Sequence, residues 1–170
     1  YGAVLLVLAG AALGASPATS PPLGLPVLEV PAGNPQTPEK IALGEKLFND
    51  KRFSSTGTVA CANCHMADKA FTDGPLKTSE GIRKLTGTRN APTVLNSAYF
   101  TKVFWDGRSP DLEDQALHPF INPVEMGLPD HEPILKIVRS DPTYVDMFRK
   151  SFGVEPAAIA ATAVQEDVDL

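Results

Sequence analysis

Residues 59–67 read Val-Ala-Cys-Ala-Asn-Cys-His-Met-Ala and contain both cysteines of the 170-residue chain, Cys61 and Cys64, followed directly by His65. The spacing C-x-x-C-H is the attachment pattern of c-type haem. Two thiols one helical turn apart can add to the two vinyl groups on one edge of the macrocycle, and the adjoining imidazole can then ligate the iron. The segment therefore predicts one covalently bound haem c.

Three other uses of the two cysteines fit the sequence less well. A redox-active C-x-x-C normally accompanies a βαβ pattern, which the sequence lacks. A zinc site needs two more ligands, and the other histidines, His118 and His131, are not at finger spacing. A disulfide across a two-residue gap would be tight and would leave His65 unexplained.

The chain before the haem motif divides into two compositional segments. Residues 3–13 form an uncharged apolar run, shorter than the ~20 residues that span a bilayer and typical of a secretory signal. We predict part of a signal peptide over residues 1–18, a proline-rich linker over 19–36 and a haem domain over 37–170. Export agrees with covalent haem attachment and predicts a periplasmic protein that does not span the membrane once processed.

Helix signals dominate the predicted domain, and no alternating strand pattern of sufficient length appears, so we predict an all-α fold. Thr37-Pro38 predicts a helix start, with Ile41, Leu47 and Phe48 on the buried face. Residues 68–103 show little periodicity, as expected of a segment wrapped around a cofactor. Further helix starts are predicted at Ser109-Pro110-Asp111 (with Ser109 as the N-cap and the helix running to Pro119), Asp130, Asp141-Pro142 (ending at Gly153) and Pro156.

The second axial position of the iron decides between an electron carrier and an enzyme. Met126 could reach the iron from the stretch 122–127, Asn-Pro-Val-Glu-Met-Gly. Glu125 beside it is suited to moving a proton between peroxide oxygens, although a solvated loop carboxylate is the commoner use of a glutamate. The residues alone leave both functions open. The net charge of −5, without a long basic run, argues against a nucleic-acid partner.

Ordered motifs between residues 38 and 152 resemble the N-terminal half of bacterial dihaem cytochrome c peroxidases, whose relatives include the methylamine-utilisation dihaem enzyme. The resemblance implies a cytochrome c-like domain with a low-potential haem, at which hydrogen peroxide is reduced with electrons from a donor cytochrome or cupredoxin. The motifs are LGEKLFNDKRFSS at 43–55, CANCH at 61–65, GTRNAPTVLNSAY at 87–99 and FWDGRSPDLEDQALHPFINPVEMG at 104–127.

The resemblance also implies roles for five residues. Glu125 falls on the distal acid–base, with Gln115 and Pro119 on distal pocket positions. Trp105 falls on a tryptophan that lies between two haems, and Asn90 on a ligand of an interdomain calcium. The plainer uses are a core tryptophan, an exposed helical glutamine and a turn-forming asparagine.

The sequence departs from the family pattern in two ways. Ile82 stands where many members hold a removable distal histidine, so we expect a five-coordinate or water-ligated ferric haem that needs no reductive activation. The family also has a second C-x-x-C-H domain, which is missing here, and the chain begins without methionine. We therefore expect a piece of a longer protein, and we predict a homodimer for the full-length form. A monohaem electron carrier with Met126 as sixth ligand, or an inert haem-binding fragment, are the competing hypotheses.

Overall fold

The computed structural model describes residues 24–158, and within that range the chain is helical and has no strand. The all-α prediction is confirmed. None of the helices in this range is long enough and apolar enough to cross a bilayer. The α-helices are α1 Pro38–Asn49, α2 Cys61–Cys64, α3 Leu112–Gln115, α4 His118–Ile121, α5 Glu132–Ser140 and α6 Pro142–Phe152. Short 3-10 turns lie at Lys51–Phe53, Ala67–Lys69, Ile82–Lys84, Ser97–Tyr99 and Pro156–Ala158.

Helix α1 begins where the sequence predicts, but it buries a different face. The Thr37 hydroxyl caps the helix by accepting a hydrogen bond from the Lys40 backbone N–H at 3.3 Å. Leu43 is 2% exposed, whereas Ile41 is 61% exposed, so the placement of Ile41 on the buried face was wrong. Leu43 and Leu47 are one turn apart and define the buried stripe, and Ile41 lies to the other side of it.

Helices α5 and α6 begin close to the predicted positions. The Asp141 carboxylate accepts a hydrogen bond from the Thr143 backbone N–H at 2.9 Å, and Gly153 ends α6 in the left-handed region, with φ at 67°. Asp130 accepts from the Glu132 backbone N–H at 2.9 Å and so supports the first turn of α5. The predicted helix from Pro156 begins as a 3-10 turn; its continuation and the predicted signal segment lie outside the described residues.

The prediction of an N-cap at Ser109 was wrong. Asp111 caps α3 by accepting a hydrogen bond from the Asp114 backbone N–H at 2.8 Å, while the hydroxyl of the buried Ser109 donates to the Asp114 carboxylate. The helical run does not continue to Pro119 either, because α3 ends at Gln115. Pro119 lies instead in the first turn of α4, where its missing N–H removes no helical hydrogen bond.

The hydrophobic core joins α1, α5 and α6 to the segments on either side of the haem motif. The Phe53 ring lies at its centre, 5.7 Å from the Tyr144 ring and 6.1 Å from the Phe120 ring between centroids. Through these ring contacts, the turn that follows α1 packs against α6. The buried members of the cluster are Leu43, Phe53, Val59, Ile82, Met126, Val138 and Tyr144.

A polar cluster closes one edge of this core. The Tyr144 hydroxyl donates a hydrogen bond to Asp50 at 2.8 Å, and Arg52 contacts both Asp50 at 2.6 Å and Asp141 at 3.0 Å. The Arg52 hydrogen bond, assisted by that of Tyr144, lowers the pKa of Asp50 to about 2. The cluster therefore ties the end of α1 to the start of α6.

The segment that precedes α1 lies along the domain surface. The Tyr99 hydroxyl donates to the Pro26 carbonyl at 3.2 Å, and the Asn34 amide donates to the Glu113 carboxylate at 2.9 Å. Residues 24–36 form no helix or strand, so their course depends on such contacts.

We expect the Tyr144→Phe variant to unfold with a free energy about 1.5 kcal/mol lower than the parent at pH 7, since a hydrogen bond to a charged group is lost. Urea unfolding measures this difference. The depressed pKa of Asp50 stabilises the fold above roughly pH 4, its unfolded value, and this contribution is lost as the pH falls towards 2. The difference in the free energy of unfolding between the parent and Tyr144→Phe should therefore become smaller as the pH falls from about 4 to 2.

The matched control is Tyr99→Phe, which removes a hydroxyl bonded to a neutral carbonyl at the surface. We expect a change below about 0.5 kcal/mol, with no dependence on pH in this range. Equal losses in the two variants would contradict the role given to the Asp50 carboxylate.

Candidate haem site

The two cysteines lie at the ends of α2, which is a single helical turn. The Asn63 side chain accepts a hydrogen bond from the Ala60 backbone N–H at 2.9 Å and so holds the first turn in place. Cys61 and Cys64 are half-buried and neither forms a disulfide. Residues three apart on a helix lie on the same face, so the turn presents both thiols to one side.

His65 follows the helix with one ring nitrogen already engaged. Its Nδ1 lies 3.1 Å from the carbonyl oxygen of Phe71. A carbonyl can only accept, so Nδ1 carries the proton and Nε2 keeps the lone pair that a metal would need. The Phe48 ring packs beside the imidazole, with 6.1 Å between centroids.

The surroundings of the thiols fit a haem. Burial raises the pKa of Cys61 to about 11 and also raises the pKa of Cys64, which indicates an apolar setting. Asp73 is 2% exposed, and its Oδ1 forms no hydrogen bond with any residue of the described range 24–158. Two free thiols, an available imidazole nitrogen and a buried carboxylate oxygen without a hydrogen bond from the described residues fit a covalently attached haem.

A bridging segment, residues 79–82, connects the haem motif to the predicted acid–base residue. The Ser79 side chain hydrogen-bonds the Cys64 thiol, and the Ile82 backbone N–H donates to the Glu125 carbonyl at 2.9 Å. Gly81 lies so close that a Cβ there would be 2.6 Å from the Glu125 carbonyl oxygen and would collide with that of Val124. The segment is therefore packed backbone to backbone against the loop that carries Glu125.

Glu125 is half-buried, and its side chain lies near the thiols. Its Oε1 accepts a hydrogen bond from the Asn122 amide at 3.2 Å. Its negative charge is among the causes that raise the pKa of both Cys61 and Cys64, after the larger effect of burial. Such an effect requires proximity, so the carboxylate is close to the edge at which a haem would be attached.

Ile82 and Met126 both point their side chains into the hydrophobic core. Ile82 is 2% exposed and Met126 is 3% exposed, and both belong to the cluster around Phe53 and Tyr144. A Cβ on Gly127 would collide with Ile82 Cδ1, which shows how tightly this part of the core is packed. The Met126 side chain is thus already used in packing.

Gln115 and Pro119 lie on the two short helices that precede Glu125. The Pro119 carbonyl accepts a hydrogen bond from the Met126 backbone N–H at 3.3 Å, which joins α4 to the Glu125 loop. Gln115 is half-buried at the end of α3, and its side chain forms no hydrogen bond with residues 24–158. Pro119 is therefore hydrogen-bonded to the residue that follows Glu125. The Gln115 amide is available to hydrogen-bond a ligand.

Trp105 and Asn90 lie together elsewhere, at the surface. The Trp105 indole N–H donates to the Asn90 carbonyl at 2.8 Å, while the Asn90 amide donates to the Leu76 carbonyl at 2.9 Å. Trp105 is 63% exposed, so it is not a core residue. Among residues 24–158 there is no cluster of three acidic, cysteine or histidine residues able to hold a metal ion, so calcium at Asn90 stays a prediction.

The histidines outside the haem motif are occupied by structural contacts. His131 is 8% exposed and its Nε2 lies 2.8 Å from the Leu117 carbonyl. His118 lies 3.4 Å from the Asp114 carboxylate and packs edge-on against the Phe104 ring. These contacts agree with the rejection of a zinc site.

Sequence reasoning missed four residues that shape the site. Asn122 hydrogen-bonds Glu125, Ser79 contacts Cys64, Gly81 permits the close packing of the bridging segment, and the charge of the buried Asp73 acts on the Cys64 thiol. Asn122 stood in the motif at 104–127, whereas Gly81 precedes Ile82, the position already singled out. The contacts of Ser79 and Asp73 join residues more than eight positions apart, and no local pattern signals them.

Comparisons with known proteins agree with this geometry. The family model described as "Di-haem cytochrome c peroxidase" matches residues 38–167. Cytochrome c551 peroxidase of Nitrosomonas europaea is 40% identical over 134 residues, which cover 79% of this chain and 40% of the relative. Methylamine utilization protein MauG of Methylorubrum extorquens is 41% identical over 125 residues, covering 74% of this chain and 35% of the relative.

Solved structures show the same relationship. A MauG-like protein associated with microbial copper homeostasis aligns with a TM-score of 0.71 and 35% identity, covering 79% of this chain and 39% of that one. The diheme peroxidase BthA from Burkholderia thailandensis aligns with a TM-score of 0.62 and 26% identity over 72% of this chain and 35% of that one. The chain thus spans 40% or less of the length of these four proteins.

We expect Gly81→Ala to destabilise the domain by about 2 kcal/mol, because the new methyl group must displace the backbone of Val124 and Glu125. Thermal unfolding followed by circular dichroism measures the loss.

Gly87→Ala is the matched control in the same loop, since a Cβ there meets nothing within 4 Å. It should change the stability by less than about 0.5 kcal/mol. If Gly81→Ala is as well tolerated as Gly87→Ala, the bridging segment does not have the tight packing described.

Proposed function

This chain belongs to the di-haem cytochrome c peroxidase family, and we propose that it is the haem domain at which such an enzyme reduces hydrogen peroxide. The observation that carries the proposal is the carboxylate of Glu125, held near Cys61 and Cys64 by the bridging segment. A carboxylate beside the edge of an attached haem can exchange protons with a peroxide bound there.

The residues that would hold the haem are Cys61 and Cys64, through thioether bonds, and His65 through Nε2. When bound, the haem supplies the iron at which peroxide binds and the route by which electrons reach it. The hydrogen bond from Nδ1 of His65 to the Phe71 carbonyl fixes the imidazole orientation and increases its basicity as a ligand. The peptide chain would thus hold the His65 imidazole in place as an iron ligand before any substrate arrives.

Glu125 would act as the proton carrier on the other face. Reduction of hydrogen peroxide to two molecules of water consumes two protons and two electrons, and cleavage of the O–O bond also requires a proton to move between the two oxygens. Glu125 can accept the proton from one oxygen and return it to the other. The Asn122 amide bonded to Oε1 restrains the carboxylate, which keeps this transfer within a fixed geometry.

Gln115 and Pro119 would shape the pocket around the peroxide. The Gln115 amide has both a donor and an acceptor available and can hydrogen-bond a peroxide oxygen. Pro119, in the first turn of α4, is joined to the Glu125 loop through the Met126 backbone N–H. The pocket residues would therefore keep their places relative to the proton carrier.

Electrons would enter through the surface that carries Trp105. Its exposed indole lies apart from the core, and the hydrogen bond to Asn90 restrains it. The family resemblance implies a second haem domain facing this residue, with a cytochrome or cupredoxin as the donor in the periplasm. Because this chain has one C-x-x-C-H motif, we propose that it supplies the peroxide site and that the second haem lies on another domain.

The open axial position is what separates this proposal from an electron carrier. Ile82 has no ligating atom, and Met126 is committed to the core packing around Phe53. No other observation favours ligation by Met126. We therefore propose that the iron face opposite His65 is open to peroxide or water.

We expect the ferric, haem-loaded chain to show the charge-transfer band of a high-spin haem, because no protein side chain fills the sixth position. Absorption and electron paramagnetic resonance spectra at pH 7 check this. The appearance of a methionine–iron charge-transfer band, abolished in Met126→Leu, would instead identify an electron carrier.

We expect Glu125→Gln to slow the reaction of the ferric haem with one equivalent of hydrogen peroxide by about 100-fold or more, since the amide cannot carry the proton. Stopped-flow absorption measures this single turnover without an electron donor. Haem content should stay at the parental level, as glutamine has nearly the same shape.

Glu80→Gln is the control, because Glu80 is an exposed carboxylate at the bridging segment and its loss changes the net charge equally. Its peroxide reaction should match that of the parent. A Glu125→Gln variant that reacts at the parental rate would eliminate the acid–base role.

A further inference from the structure

Asp73 is a buried acidic residue that the proposed peroxide chemistry does not use. It is 2% exposed, and its Oδ1 lies in the interior without a hydrogen bond from any residue between 24 and 158. Burying an ionised carboxylate without a partner costs several kcal/mol, so such groups normally neutralise or acquire a compensating positive charge. Because Asp73 lies near the haem motif, the positive charge of a bound haem iron could compensate its carboxylate.

The segment that carries Asp73 is built onto the segment that carries His65. The Met66 backbone N–H donates to the Thr72 carbonyl at 3.1 Å, and the Phe71 N–H donates back to the Met66 carbonyl at 2.8 Å. The Phe71 carbonyl in turn accepts from His65 Nδ1. Asp73 thus follows directly on the residues that orient the His65 imidazole, and backbone hydrogen bonds fix the place of this segment relative to His65.

The carboxylate is also close to the haem attachment point. The negative charge of Asp73 is one of the causes that raise the pKa of the Cys64 thiol. Cys64 would be bonded to the macrocycle, so a charge that acts on this thiol also acts on the haem. In the low dielectric of an interior, this interaction is far less screened than one between surface charges.

Ferric haem carries one more positive charge at the iron than ferrous haem. A nearby carboxylate therefore stabilises the ferric state more than the ferrous state. We propose that Asp73 stabilises the ferric state of the haem electrostatically and thereby lowers its reduction potential. The proposal rests on the haem attachment proposed above but not on the role of Glu125. Asp73 is a positioning and tuning residue, because it acts on the iron through space and contacts neither peroxide nor the ligand.

Other charged groups near the haem motif do not share these properties. Asp68 and Lys69 lie in the exposed turn after Met66, where solvent and salt screen their charges. Glu125 also acts on Cys64, but its carboxylate accepts a hydrogen bond from Asn122, which disperses part of its charge. Asp73 is therefore the buried carboxylate of this region with an oxygen, Oδ1, that accepts no hydrogen bond from the described residues.

The test is potentiometric titration of the haem-loaded chain and of Asp73→Asn, with redox mediators at pH 7. Haem content is first measured as the pyridine haemochrome, so a failure of haem attachment is distinguished from a failure of tuning. We expect the variant to be reduced more easily, with the ratio of ferrous to ferric haem at a fixed solution potential rising about tenfold, equal to about 59 mV for a one-electron couple.

Two further variants make the result specific. Asp68→Asn removes the same charge from the neighbouring exposed turn and should leave the midpoint potential unchanged. Asp73→Glu keeps the charge and should stay closer to the parental potential than Asp73→Asn does. An unchanged potential in Asp73→Asn, an equal shift in Asp68→Asn, or an Asp73→Asn chain that cannot be loaded with haem although Asp73→Glu can would overturn the proposal.

Discussion

The hydrogen bond from the Ile82 backbone N–H to the Glu125 carbonyl is the contact on which the candidate site depends. It belongs to a close approach of two backbones that a side chain at Gly81 would prevent. On its other side, the same segment reaches Cys64 through Ser79. A stretch without regular secondary structure thus sets the distance between the haem-bearing helix and the proposed proton carrier.

This arrangement positions the candidate site residues with few regular elements. Helices α2, α3 and α4 are single turns, too short to be stable alone. Their positions are set instead by long-range contacts, such as Pro119 with Met126 and Phe53 with Tyr144. Helices α1, α5 and α6 supply the longer framework against which these turns pack.

Much of the framework could be predicted from the sequence, because its signals are local. Thr37 and Asp141 cap helices through side chains within three residues of the N–H groups they accept from. The haem motif is likewise contained in five consecutive residues. Where two local signals compete, prediction failed: Asp111 caps α3, while the hydroxyl of the buried Ser109 donates to the Asp114 side chain instead.

The candidate site was predictable only in part. The motifs identified Glu125, Gln115 and Pro119, but the physical means of holding Glu125 depend on Asn122 and the bridging segment. Asp73 gave no signal, because a local pattern shows neither the burial of its side chain nor the lack of a hydrogen bond to Oδ1 from residues 24–158. The predicted burial of Ile41 was wrong for a related reason, since an apolar side chain is buried only where another part of the chain packs against it.

The exposed Trp105 is held by two neighbouring cross-links of different physical character. Its N–H is bonded to the Asn90 carbonyl, and Arg89 pairs with Asp106 at 3.0 Å, joining the same two stretches of chain. Dissolved salt screens the ion pair but has little effect on the neutral hydrogen bond. At high ionic strength the indole therefore keeps its anchor, so the proposed entry surface for electrons keeps nearly the same orientation even where electrostatic attraction between proteins is weak.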